Sequence, residues 1–116
     1  MSVSERERVE DVLEHLEILR RHLSHEGVPG ETVFDAVNRR LSAAIEALQA
    51  GGTALPERLF GDEWPLMWAT RNRIAHGYRH IDRATIELTV ERDLPVLEAA
   101  LRDEHARLVR GVSDDS

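Results

Sequence analysis

Apolar residues recur at three- and four-residue spacing along most of the chain, and each run of that rhythm ends at glycine or proline. Val9, Val12, Leu13, Leu16, Leu19 and Leu23 make one stripe, as an amphipathic helix with a single buried face requires. Ser4 three residues ahead of Glu7 supplies a capping box for its start, and Gly27, Pro29 and Gly30 end it. A second helix is expected from about Glu31 to Ala50, with Phe34, Val37, Leu41, Ala44, Ile45 and Leu48 on one side and Gly51-Gly52 as its stop. At 1.5 Å per residue each helix is roughly 30 Å long, and two of matching length form an antiparallel half of a bundle.

Residues 51 to 61, which contain Pro56 and Gly61, read as a loop. Trp64-Pro65 then opens a third helix, because proline is tolerated in a first turn where its missing N–H has no partner to lose. Leu66, Met67, Trp68 and Ile74 give it an apolar side, and Gly77 closes it with His76 in the final turn. Residues 86 to 90, Ile-Glu-Leu-Thr-Val, alternate like a strand but have no pairing partner elsewhere in the sequence, so they read as helix. Pro95 marks a break before a last helix bearing Leu97, Leu101, His105 and Leu108. The expected fold is an all-α, up-and-down bundle of four to five helices, one domain over residues 1–110, with residues 111–116 a disordered acidic tail.

Composition narrows what such a bundle does. With 116 residues the chain suits one domain, and with no cysteine it excludes disulfides, thiolate zinc sites and cysteine nucleophiles. The charged first seventeen residues do not resemble a signal peptide and no later stretch approaches a membrane span, so a soluble, cytoplasmic protein is expected. Every one of the fifteen basic residues is arginine, against twenty-two acids, for a net charge of −7. That total disfavours nucleic-acid binding, yet it is unevenly spread. From Arg71 to Arg83 there are four arginines and one acid, while the first seventeen residues hold six acids and two arginines.

The basic segment coincides with the densest chemistry. Arg71-Asn72-Arg73-Ile74-Ala75-His76-Gly77-Tyr78 places an arginine, an amide, a histidine and the only tyrosine within eight residues. Guanidinium is a planar fork matched to phosphate oxygens, and imidazole gives and takes protons near neutrality. Cleavage of RNA by its own 2′-hydroxyl needs a base, a cation on the phosphate and an acid for the leaving 5′-oxygen. One arginine and one histidine fall short of that set, so two copies related by a two-fold axis are expected to complete it. Judged alone, a histidine at a helix end is more often a dipole-stabilised cap than a catalyst. Trp64 and Trp68 read as core anchors, and Arg73 and Arg79 as solvated arginines within reach of RNA. His22 and His25 have a metal-pair spacing that nothing completes; they, His15 and His105 receive no role, and neither metal nor cofactor is expected.

The same residues resemble a known family. Arg71-Asn72 followed by His76 and Tyr78 is similar to the R-x-x-x-x-H-x-Y motif of the HepT-like toxins in the HEPN superfamily. Trp64-Pro65 upstream, Ile81-Asp82 just after, and Asp93-Leu94-Pro95 before the last helix extend the resemblance over residues 64 to 108. It implies a homodimeric helical bundle acting as a metal-independent ribonuclease toxin in a type VII-like toxin–antitoxin pair. Arg71 would then bind and polarise the scissile phosphate, His76 would act as general base or acid, and Asn72 would orient the phosphate or the histidine. Tyr78 would receive AMP from a minimal nucleotidyltransferase antitoxin. The alternative is a non-catalytic helical module that binds nucleotide and substrate for such a transferase.

Overall fold

A computed structural model describes the backbone of residues 4–26, 31–76 and 83–114 and the side chains of residues 4–23, 34–76 and 84–111. Six α-helices follow one another: α1 (Glu5–Glu26), α2 (Glu31–Gln49), α3 (Ala54–Phe60), α4 (Trp64–Ala75), α5 (Arg83–Leu88) and α6 (Leu94–Asp114). Four of them, α1, α2, α4 and α6, are the long members of the bundle, and there is no strand among the described residues.

The direction of each helix follows from which side chains meet. Arg8 reaches the Leu48 carbonyl and Arg40 meets His15 Nδ1 at 3.2 Å, so α1 and α2 run antiparallel. Arg20 pairs with Glu98 at 2.5 Å and His105 with Glu10 at 2.9 Å, so α6 also opposes α1. Thus α2 finishes beside the start of α1, whereas α6 begins beside its end. The intervening chain has to cover the length of the bundle, and α4, packed on α2, lies within it. The result is the up-and-down bundle that the periodicity predicts, with α1 at its centre. Val9, Val12 and Leu19 are fully buried, and they meet Val37, Ala44 and Leu48 of α2 and Leu97 and Leu101 of α6 in one core.

The helix ends show why the chain turns where it does. Ser4 Oγ accepts the Glu7 N–H at 3.1 Å, starting α1 as the capping pattern predicts. At the end of α2 the buried Arg8 guanidinium donates to the Leu48 and Gly52 carbonyls, satisfying acceptors that the helix leaves open. Burial pushes the Arg8 pKa down from its ordinary value, with Glu5 opposing the shift. A Cβ on Gly51 would stand 2.7 Å from Arg8 Nη1 and displace the guanidinium from its carbonyls, and Gly52 has φ +109°, which residues with a side chain rarely adopt.

Three segments depart from expectation. The loop expected over 51–61 contains α3, whose Leu55 and Pro56 are buried. Pro56 falls within the first turn of that helix, where N–H groups are unpartnered in any case, so it does not forbid helix. The break expected at Pro95 is instead a π turn over Thr89–Asp93, across which the helical path continues from α5 into α6. The Leu94 N–H reaches back to the Thr89 carbonyl, and this wider turn gives room to a proline ring that would collide with the carbonyl four residues earlier. Lastly, α6 runs to Asp114, beyond Gly111 where the tail was expected to begin.

A charged cluster fastens α3 to the bundle. Arg58 pairs with Glu5 of α1 at 3.2 Å and with Glu104 of α6, and Arg107 holds Glu104 at 2.6 Å. Arg107, with Arg58 behind it, holds the Glu104 carboxyl down at about 2 from an ordinary 4.5, against burial that pushes it up. A carboxylate depressed by folding stabilises fully above its unfolded pKa and stops doing so as pH falls through its folded one. Unfolding free energy measured in urea is therefore expected to fall between about pH 4.5 and pH 2. Because both arginines are about half exposed, Glu104→Gln is expected to cost on the order of 1–2 kcal/mol at pH 7 and to flatten the acid limb. An unchanged limb in that variant would remove Glu104 from the account.

Candidate active site

The motif occupies the last turns of α4, where the packing of α4 against α2 decides what each side chain meets. Trp64 is buried at the helix start and Trp68 half-buried one turn on, with ring centroids 5.9 Å apart and planes tilted by 39°. Trp68 is therefore the core anchor its spacing suggests, with a second use. The Arg71 guanidinium lies over its ring, 4.9 Å from the centroid, a cation–π contact that supports the fork from one face.

The edges of that fork are occupied as well. Nη1 donates to Asn72 Oδ1 at 3.0 Å. Nε and Nη2 both approach Oε1 of Glu46 on α2, at 2.8 and 2.6 Å. A stacked face, an amide on one edge and a carboxylate on another fix the guanidinium far better than its flexible stem would alone. Asn72, half-buried, thus stands beside Arg71 with its side-chain oxygen on the fork.

His76 is the residue at which the helix ends. Its backbone has φ −86° and ψ 6°, its N–H bonds the Asn72 carbonyl at 3.0 Å, and it is exposed. Five helical steps separate it from Arg71, an angular offset of about 140°, so the two do not share a helix face. Arg73 is exposed. Arg79 and Tyr78 lie outside the described residues, as does Gly77. Beside the motif, a groove of about 410 Å³ opens between α4 and α6, lined by Leu19, Ile45, Met67, Val90 and Leu97. Exposed Leu66 and Val96 also line it, on α4 and α6 respectively.

Two contributors escape a reading of the sequence. Glu46 is twenty-five residues from Arg71, and only the packing of α2 on α4 joins them. Trp68 is legible as apolar, but not as the platform for Arg71. Among the remaining histidines, His105 bonds Glu10 and holds that carboxyl below the usual range, and His15 meets Arg40. His25 has no described side chain. No group of His, Cys, Asp or Glu suited to a metal ion occurs among the described residues, and no helix there is long and apolar enough to cross a membrane.

No curated protein and no solved structure gives a significant match. The family model described as "Ribonuclease HepT-like" matches residues 9–104, from the first buried valine of α1 to the Glu104 carboxylate of α6 and through the whole motif. On that span the chain belongs to the HepT-like ribonuclease family.

Proposed function

We propose that this protein is a ribonuclease toxin that cleaves RNA phosphodiesters without a metal ion, using Arg71 and His76 from two copies of the chain. The observation that carries the reading is the Arg71 fork, stacked on Trp68 and braced by Asn72 in a chain of this family, with His76 at the end of the same helix. Arg71 binds the phosphate and offsets the charge that develops on its oxygens. His76 takes the 2′-hydroxyl proton, and the 2′-oxygen attacks phosphorus. The bond to the 5′-oxygen then breaks, and a second imidazole protonates that leaving group. Two imidazoles require two chains. The angular offset between Arg71 and His76 favours a cleft shared by protomers over a site on one helix face, and exposed Leu66 and Val96 offer apolar surface for the second copy. Asn72 orients the fork, and Arg73 and Arg79 add contacts to RNA backbone.

Tyr78, two residues beyond His76, is the proposed point of control. Transfer of AMP to its phenol by a nucleotidyltransferase antitoxin would set a phosphate's negative charge beside a site that binds phosphate, repelling RNA and blocking it sterically.

Incubating the purified protein with RNA in EDTA tests the catalytic assignment. Cleavage is expected, with a loss of about 100-fold or more in His76→Ala and in Arg71→Ala. Undiminished activity in His76→Ala, or none in the unsubstituted chain, would sink it and favour the non-catalytic nucleotide-binding module. Co-expression with a nucleotidyltransferase encoded beside the protein, followed by peptide mass spectrometry, is expected to find one adenylyl group on Tyr78. Modification confined to serine or threonine would defeat the proposed control.

A further inference from the structure

The Nε and Nη2 edge of Arg71 is the edge that takes two oxygens of a phosphate side by side, and in this structure a carboxylate already occupies it. Glu46 approaches both donors through Oε1, at 2.8 and 2.6 Å, while the other edge is held by Asn72 and one face by Trp68. Exposure separates the partners. The Arg71 side chain is 25 % exposed and that of Glu46 is 47 % exposed. The arginine is therefore fixed by three contacts, whereas the carboxylate can swing into water. An ion pair with so exposed a member contributes little to stability, so the packing of α2 on α4 does not depend on it.

We propose that Glu46 is a placeholder for phosphate: it keeps the Arg71 fork aimed and neutralised while the site is empty, and RNA must displace it to bind. The inference rests on the ribonuclease reading for the identity of its ligand. Glu46 acts as a positioning and specificity-determining residue. A single carboxylate charge is a weak competitor for a phosphodiester flanked by further phosphates, but an adequate one for isolated anions such as chloride or acetate. Displacement thus selects polyanionic ligands. Removing the charge with Glu46→Gln leaves an amide oxygen able to accept from Arg71, keeps the shape of the side chain, and withdraws both the competitor and its repulsion of the incoming phosphate.

The test is RNA binding by fluorescence anisotropy at low salt in a His76→Ala background, where cleavage does not intervene. Glu46→Gln is expected to tighten binding by about two- to fivefold, the range of an exposed ion pair, with the gap narrowing as salt screens the charge. The gain is expected to vanish when Arg71→Ala is added, because the competition is for that fork and not for the general field of the protein. Unchanged or weaker binding by Glu46→Gln overturns the placeholder and leaves Glu46 a tie between helices. A full gain that persists without Arg71 overturns it as well, as does RNA that binds neither chain. Cleavage and binding fail separately. A protein that binds RNA more tightly after Glu46→Gln yet cuts nothing refutes the ribonuclease reading alone, and one that cuts RNA but gains no affinity refutes the placeholder alone.

Discussion

Burial of the α1 stripe is the constraint from which the rest of the structure follows. Val9, Val12, Leu16 and Leu19 have to leave water, and a single neighbour covers only part of a helix's apolar face. Both α2 and α6 pack against α1, each antiparallel to it. Once two helices run the same way on either side of a third, the segment joining them must traverse the bundle. Within that segment α4 packs on α2, which brings Arg71 to Glu46. Geometry at the candidate site is therefore inherited from apolar burial at positions far away in sequence.

Polar groups refine this arrangement more than they drive it. Arg8, buried where α2 ends, replaces the missing hydrogen bonds of the helix terminus with a charged donor, at the expense of leaving its own Nε without a partner among the described residues. Glu104 ties α6 to α3 through Arg58 and is held from its own helix by Arg107, and both arginines remain half in water. Arg71 follows a third pattern. Its fork is neither sunk in the core nor free in solvent, and stacking on Trp68 secures it without consuming the donors that chemistry would need.

Much of this was legible from the chain. Helical periodicity located α1 and α2, the second to within a residue or so of the double glycine that follows it, because a long stripe of one face leaves many coincident signals. Ser4 marked the start of α1 through one hydrogen bond that short-range pattern encodes. What escaped is either short or non-local. At seven residues, α3 spans only two turns, too few for a period to emerge, and its proline reads as a breaker unless its position in the first turn is known. Pro95 signalled a disturbance correctly, yet whether a helix breaks or widens depends on tertiary support, and here Val90, Leu94 and Leu97 are buried on either side of the π turn. In the motif, residue types suggested phosphate chemistry and put Asn72 next to Arg71 in sequence, but no spacing rule reaches Glu46 across two helices.

A net charge of −7 would seem to oppose any role in handling RNA. Range resolves the conflict. At physiological ionic strength exposed charges more than about 8 Å apart are largely screened, so the total charge says little about one site, whereas contacts made within hydrogen-bond distance of Arg71 are not screened in this way. Glu46 lies within that distance. The chain thus carries its decisive negative charge on the same short scale as its decisive positive one. An acidic protein of this kind gains little from long-range steering toward a polyanion and depends on what happens in the last few ångströms, where one carboxylate gives up two nitrogen donors to a phosphate or keeps them.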